Sequence, residues 1–341
     1  MKQLTLHCPK EKMDTKSSMP AVSKSNRNTK LDSVKTVLIF CVILGHTLQE
    51  REPGMLNSVN MIVKTSIFSF HMSLFILISG YFCNTEYSKE KLFKKSLEIL
   101  AAFAVFQIIR LALDGEYSIE NILTPKYTLW YLLCLVYWRV AVYFLSKHLS
   151  VGAMILLSVI VSLGAGYIQI DYLGFQRACS FFPFFVFGYY CRTHETLRKI
   201  DKTGISLPFL SLLVALVICL SAKLFLPIDL LDIFMGKYPY SNNIDMVIRG
   251  GWLLVSVVVS LSIYRLIADR KTLAKYGGCT LVIYLLHSFF TENFEWLINH
   301  HILYNDLITI IAYSLVVFFL CVFLGRYKVV KILTKPISFK Y

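Results

Sequence analysis

Apolar runs of about 20 residues recur along nearly the whole chain, each long enough to cross a hydrocarbon core as a helix. Ten such segments lie near 33–50, 59–82, 92–113, 128–145, 151–169, 178–191, 206–226, 247–265, 277–291 and 305–324. Hydrophobic residues make up 56% of the 341 and charged residues only 16%, against about a quarter charged in a soluble chain. The expected fold class is therefore all-α: a polytopic membrane helix bundle of about ten transmembrane helices. The sixth segment is short and contains Pro183, so a kink or a partial span is expected there.

The net charge of +14 would suit nucleic acid, but its distribution points to the lipid bilayer as partner and to no nucleic acid. With the N-terminus inside, 27 of the 35 Lys and Arg residues fall in inner loops and tails. That asymmetry predicts an even number of spans with both termini cytoplasmic. The first 30 residues are polar and basic and read as a disordered cytoplasmic tail. Residues 31–325 form the membrane domain, and 326–341 a short basic cytoplasmic tail. No small-residue cleavage site follows the first apolar segment, which is expected to stay as an anchor. No internal repeat is visible, which disfavours an inverted-repeat transporter. The nine cysteines are scattered without metal-type spacing, so no metal site and no disulfide framework is expected.

Ionisable residues inside apolar segments are expensive and point to function. The first segment, "LDSVKTVLIFCVILGH", carries Asp32, Lys35 and His46. Eleven residues bring His46 to within about 20° of Lys35 on a helix, and Asp32 lies about 40° away. A hydrogen bond to a neighbouring helix, a place at the outer interface and a wall of a wet passage all fit His46. In "SIFSFHMSLFILISGYF", His71 lies mid-segment and Lys64 shares its face. It serves either as glue between helices or as part of a polar cavity shared with His46. Lys94 and Lys95 fit ordinary inner-loop lysines or ligands for cytosolic phosphates. Trp130 and Arg139, nine residues apart, face opposite sides of a straight helix and suit interfacial anchoring. Tyr284 and His287 share a face near the outer end of the ninth segment.

"LDSVK…GH", "FSFHMSLFILISGYF", "LWYLLCLVYWR", "FFPFFVFGYY" and "IYLLH" occur in that order. Together they resemble the acyltransferase-3 family of integral membrane acyltransferases, in particular its fucose O-acetylase-like branch of sugar O-acetyltransferases. The resemblance covers about residues 27–330. It implies an acyl-CoA donor, usually acetyl-CoA, used as substrate with no bound cofactor. It implies a carbohydrate or glycolipid acceptor in a surface or secreted glycan, and a bacterial cytoplasmic (inner) membrane location. The family's basic residue and the catalytic histidine eleven positions later map onto Lys35 and His46. Many members have Arg at the first of these. Lys35 offers a point charge instead of a bidentate fork. Ser73 stands where relatives have Pro, which implies a less kinked second helix.

On this reading His46 is the general base and His71 orients the acceptor or stabilises the oxyanion. Asp32, Lys35, Lys94, Lys95 and Arg139 bind the donor, and its pantetheine arm threads along the stripe to His46. Trp130, Tyr284 and His287 face the acceptor. The competing class is a transporter or flippase for a glycan or lipid-linked sugar, where midspan histidines are equally at home.

Overall fold

Several helices start where a short polar side chain accepts a hydrogen bond from the first turn. Asn28 accepts from the Leu31 N–H, Ser88 from Lys91, Ser118 from Asn121, Ser150 from Ala153 and Asp306 from Thr309. In a computed structural model, which describes residues 28–48, 58–168, 172–225, 230–237 and 239–337, every regular element among those residues is helical. The expected tail falls almost wholly outside the described residues, as do Glu50, Arg51 and the last four residues.

The helices are α1 (Thr29–Thr47), α2 (Ser58–Phe68), α3 (His71–Tyr81), α4 (Lys89–Asp114), α5 (Ile119–Leu123), α6 (Trp130–Leu145), α7 (Val151–Gly164), α8 (Phe175–Thr193), α9 (Thr196–Asp201) and α10 (Ser206–Phe225). Then follow α11 (Leu230–Phe234), α12 (Ile244–Leu266), α13 (Lys271–Ala274), α14 (Thr280–Leu286), α15 (Ser288–Thr291), α16 (Phe294–Asn299), α17 (Leu307–Leu324) and α18 (Lys328–Thr334). Four stretches are long and apolar enough to cross a membrane: Val59–Tyr81, Lys89–Asp114, Ile244–Leu266 and Leu307–Leu324. Trp130–Leu145, Val151–Tyr167 and Ser206–Cys219 are shorter apolar helices. Large apolar side chains lie on the outside, with Leu254 72% and Ile308 80% exposed. A water-facing surface would bury them; a lipid-facing one need not.

α8 is 19 residues long with Pro183 inside it. The second segment, expected to be less kinked because Ser73 replaces Pro, is broken at Ser69–Phe70. His71 is therefore the first residue of α3, not a midspan residue of one continuous helix. The break frees the Ile67 carbonyl from its usual backbone donor at position 71. The His71 imidazole takes over that role, with Nδ1 2.8 Å from Ile67 O.

α3 packs against α8 through two glycines. A Cβ on Gly80 would lie 2.0 Å from the Phe185 carbonyl oxygen, and one on Gly188 would lie 1.9 Å from that of Leu77. The two backbones meet where neither can hold a side chain. The main core, with Trp138, Phe184 and Phe185 near its centre, spreads from this crossing. The start of α1 is stapled to the segment before α14. Ser33 Oγ donates to Arg270 O at 3.0 Å, and Thr36 Oγ1 donates to Leu273 O at 2.9 Å.

Replacing Gly188 with Ala sets a methyl against a backbone carbonyl that cannot rotate aside. The expected cost is about 1–3 kcal/mol or more, seen as a several-fold fall in folded yield and a lower melting temperature in detergent. Gly164→Ala, where a Cβ meets nothing within 4 Å, is the control.

Candidate active site

The C-terminal end of α1, the break between α2 and α3, and the starts of α6 and α8 surround a cavity of about 420 Å³. α1 contributes Val42, His46 and Thr47, and the broken helix contributes Lys64, Phe68 and His71. Trp130, Arg177 and Phe181 form a second wall, and Tyr284, Ser288 and Glu292 a third.

The Phe68 ring lies between two histidines, 6.4 Å from His46 and 4.8 Å from His71. His71 is buried and fixed by its bond to Ile67 O. A carbonyl only accepts, so His71 Nδ1 carries a proton, and Nε2 is the nitrogen left for other partners. His287 repeats the arrangement, with Nδ1 3.1 Å from Ile283 O. Its side chain is 0% exposed, and its ring centroid is 5.4 Å from that of His46.

Opposite, Trp130 stacks on Phe181 at 5.5 Å and 25°, and the Arg177 guanidinium lies over Trp130 at 4.9 Å. The loop before α6 is held by Gln107, which donates to Asn121 O and Thr124 O and accepts from Lys126 N. Tyr284 donates a hydrogen bond to Thr128 O, tying α14 to the same loop. On the third wall Arg110 of α4 donates to Glu292 Oε2 at 2.8 Å and to Ser288 Oγ at 2.6 Å. Its guanidinium also lies 3.6 Å from the Phe289 ring centroid. Buried, with partners on three residues, Arg110 locks α15 and the residue after it against α4.

The structure separates the residues singled out from sequence. His46, His71, Trp130 and Tyr284 line the cavity together. His287 lies behind His46, and it is absent from the lining at the acceptor face where the sequence placed it. Asp32, Lys35, Lys94, Lys95 and Arg139 are likewise absent from the lining. Lys35 bonds Asp32 at 2.6 Å and lies 5.0 Å over the Phe82 ring. The expected single wet stripe from Lys35 to His46 is thus interrupted: the cavity reaches Val42, and buried Leu38 and Ile39 lie below it. Arg139 is near enough to Cys83 to act on it electrostatically, and Arg192 donates to Cys83 O at 2.8 Å. Cations from α1, α6 and α8 therefore gather at the turn after α3. Lys94 bonds Glu90 at 2.5 Å, and Lys95 donates to Tyr87 Oη at 3.2 Å.

Arg110, Glu292, Ser288, Arg177 and Arg192 were not selected from sequence. A signal was present for two of them. Arg110 and Arg177, with Lys64 and Arg249, belong to the eight cations that fall outside the inner loops. Lys64, Arg110 and Arg249 prove to be buried, and Arg177 lines the cavity.

A family model described as an acyltransferase domain matches residues 28–326. The fold and this match define a membrane acyltransferase. The chain belongs to the acyltransferase-3 family. No curated protein and no solved structure matches it.

Arg110→Met leaves Glu292 and Ser288 without the guanidinium that joins them. Thermal unfolding in detergent is expected to show a loss on the order of 3 kcal/mol, and Glu292→Gln, which keeps an acceptor for Arg110, a smaller one.

Proposed function

We propose that this chain moves an acetyl group from cytosolic acetyl-CoA to a hydroxyl of a cell-surface or secreted carbohydrate, with His46 as the general base. The observation that supports it best is the cavity that brings His46 and His71 together at one end of the bundle, with a separate cluster of cations at the other. In a ten-span arrangement with both termini cytoplasmic, every wall of the cavity comes from the outer half of its helix. The end of α1, α2 with the break that follows it, the starts of α6 and α8, and the last turns of α14–α15 all fall on that side. The cations near Cys83 then face the cytosol. Residues 1–30 and 326–341 flank the membrane domain as basic tails, and the bacterial inner membrane suits such a chain.

The chemistry follows from the proton inventory. His46 removes the acceptor's proton as its oxygen attacks the thioester carbonyl. The C–S bond breaks, His46 passes the proton to the departing thiolate, and coenzyme A leaves towards the cytosol as the thiol. His71, whose Nδ1–H is committed to Ile67 O, meets the acceptor through its Nε2 lone pair. It therefore receives a second sugar hydroxyl and does not donate to an oxyanion. Trp130 and Tyr284 give the sugar ring apolar faces. Lys35, Arg139 and Arg192 meet the donor phosphates, with Lys94 and Lys95 on the flank and Asp32 holding Lys35 in place. The pantetheine arm parts the apolar side chains between Lys35 and Val42.

The test is mass spectrometry of surface glycans from cells with and without the chain, with radiolabelled acetyl-CoA supplied to isolated membranes. Wild type is expected to add acetyl mass, and His46→Ala to lose it by about 100-fold or more at unchanged membrane level. Full labelling by His46→Ala overturns the assignment, and glycan export without acetylation overturns the enzyme in favour of a transporter. A paired Arg139→Ala and Arg192→Ala change is expected to raise the KM for acetyl-CoA about tenfold while leaving that for the acceptor unchanged.

A further inference from the structure

A general base that gains a proton needs its new charge received and its ring held in one orientation. His287 lies where it can do both. It is wholly buried and does not line the cavity, yet its ring centroid is 5.4 Å from that of His46. The two rings are tilted by 45°, and a rotation of the His46 ring is all that turns one of its nitrogens towards His287 Nε2. Nδ1 of His287 is committed to Ile283 O, which fixes the tautomer. Nε2 is a buried lone pair with no hydrogen-bond partner among the described residues. Such an atom costs free energy unless something uses it.

We propose that His287 is the positioning residue of the reaction: its Nε2 accepts a ring N–H of His46 and holds the other His46 nitrogen, as a lone pair, towards the cavity. When the acceptor hydroxyl yields its proton to His46, that ring becomes a cation. The N–H directed at His287 becomes charge-assisted and strengthens at the moment of transfer. The surroundings hold His287 rigidly for this task. Tyr284, one turn earlier, is tied to Thr128, and Ser288, the next residue, is tied to Arg110. The inference rests on the reading of His46 as base and adds to it a residue that touches neither substrate.

The experiment compares wild type, His287→Leu, His287→Gln and His287→Asn in proteoliposomes. Radiolabelled acetyl-CoA is the donor, and polysaccharide stripped from the cells that carry the chain is the acceptor. Gln keeps an acceptor oxygen at about the right reach, whereas Asn is polar but too short. His287→Leu is expected to lower kcat about tenfold or more with both KM values within about twofold, and Gln to recover most of the loss. Asn should behave as Leu does, and it replaces Leu should that variant not accumulate. Unchanged kcat in Leu or Asn, a loss confined to the acceptor KM, or Gln no better than Leu overturns the proposal. Failure of the underlying reading looks different: wild type transfers no label, or His46→Ala transfers it in full.

Discussion

The contact on which the rest of the architecture depends is the crossing of α3 and α8 at Gly80 and Gly188. Each glycine lies under a carbonyl of the other helix, so the two backbones share a surface usually kept apart by side chains. Such closeness suits a lipid setting, where packing and weak polar contacts replace the hydrophobic drive between helices. Its reach is longer than the contact itself. α3 has 11 residues and spans about 16 Å. Its first residue is His71 at the cavity, and the turn that follows it carries Phe82 and Cys83 among the cations. Locking α3 to α8 therefore sets both ends of the candidate site in one rigid frame.

Charge divides the molecule in a way that hydropathy does not. Most cations obey the inner-loop pattern and need no further explanation. The exceptions carry the interior architecture. Arg249 donates to Ser180 Oγ at 2.6 Å, and Ser180 Oγ donates to Gly236 O at 2.9 Å, which joins α12, α8 and the turn after α11. Arg110 joins α4 to the last turn beside the cavity. Lys64 and Arg177 reach the cavity itself. Three of these four are arginine, as expected where one group must satisfy several partners at once.

Much of this was legible in the sequence. Helical periodicity placed the apolar segments on helices, and the spacing of His46 and His71 on consecutive segments pointed to a shared polar space. The interruption between Lys35 and His46 was not legible. A helical wheel shows which residues share a face, but not which neighbouring helix closes over it. The break at Ser69–Phe70 was hidden as well, since neither residue is a Gly or Pro. His287 looked like an outer-end residue because its place along the segment was right. It is buried where α1, from the far end of the membrane domain, packs against α14 and α15 and sets His46 beside it. Such closure by remote elements leaves no local pattern to read.

The size of the cavity bears on what can enter it. At about 420 Å³ it lies near the lower end of small-molecule pockets. One pyranose ring and the tip of a thioester fill such a space; a run of polymer does not. If the proposed reaction holds, an acceptor drawn from a long glycan must therefore offer a chain end or a protruding branch, or else be modified as a single unit before polymerisation. The bulky nucleotide of the donor has to wait outside. On that same proposal the two substrates arrive by different doors, and neither blocks the other's path.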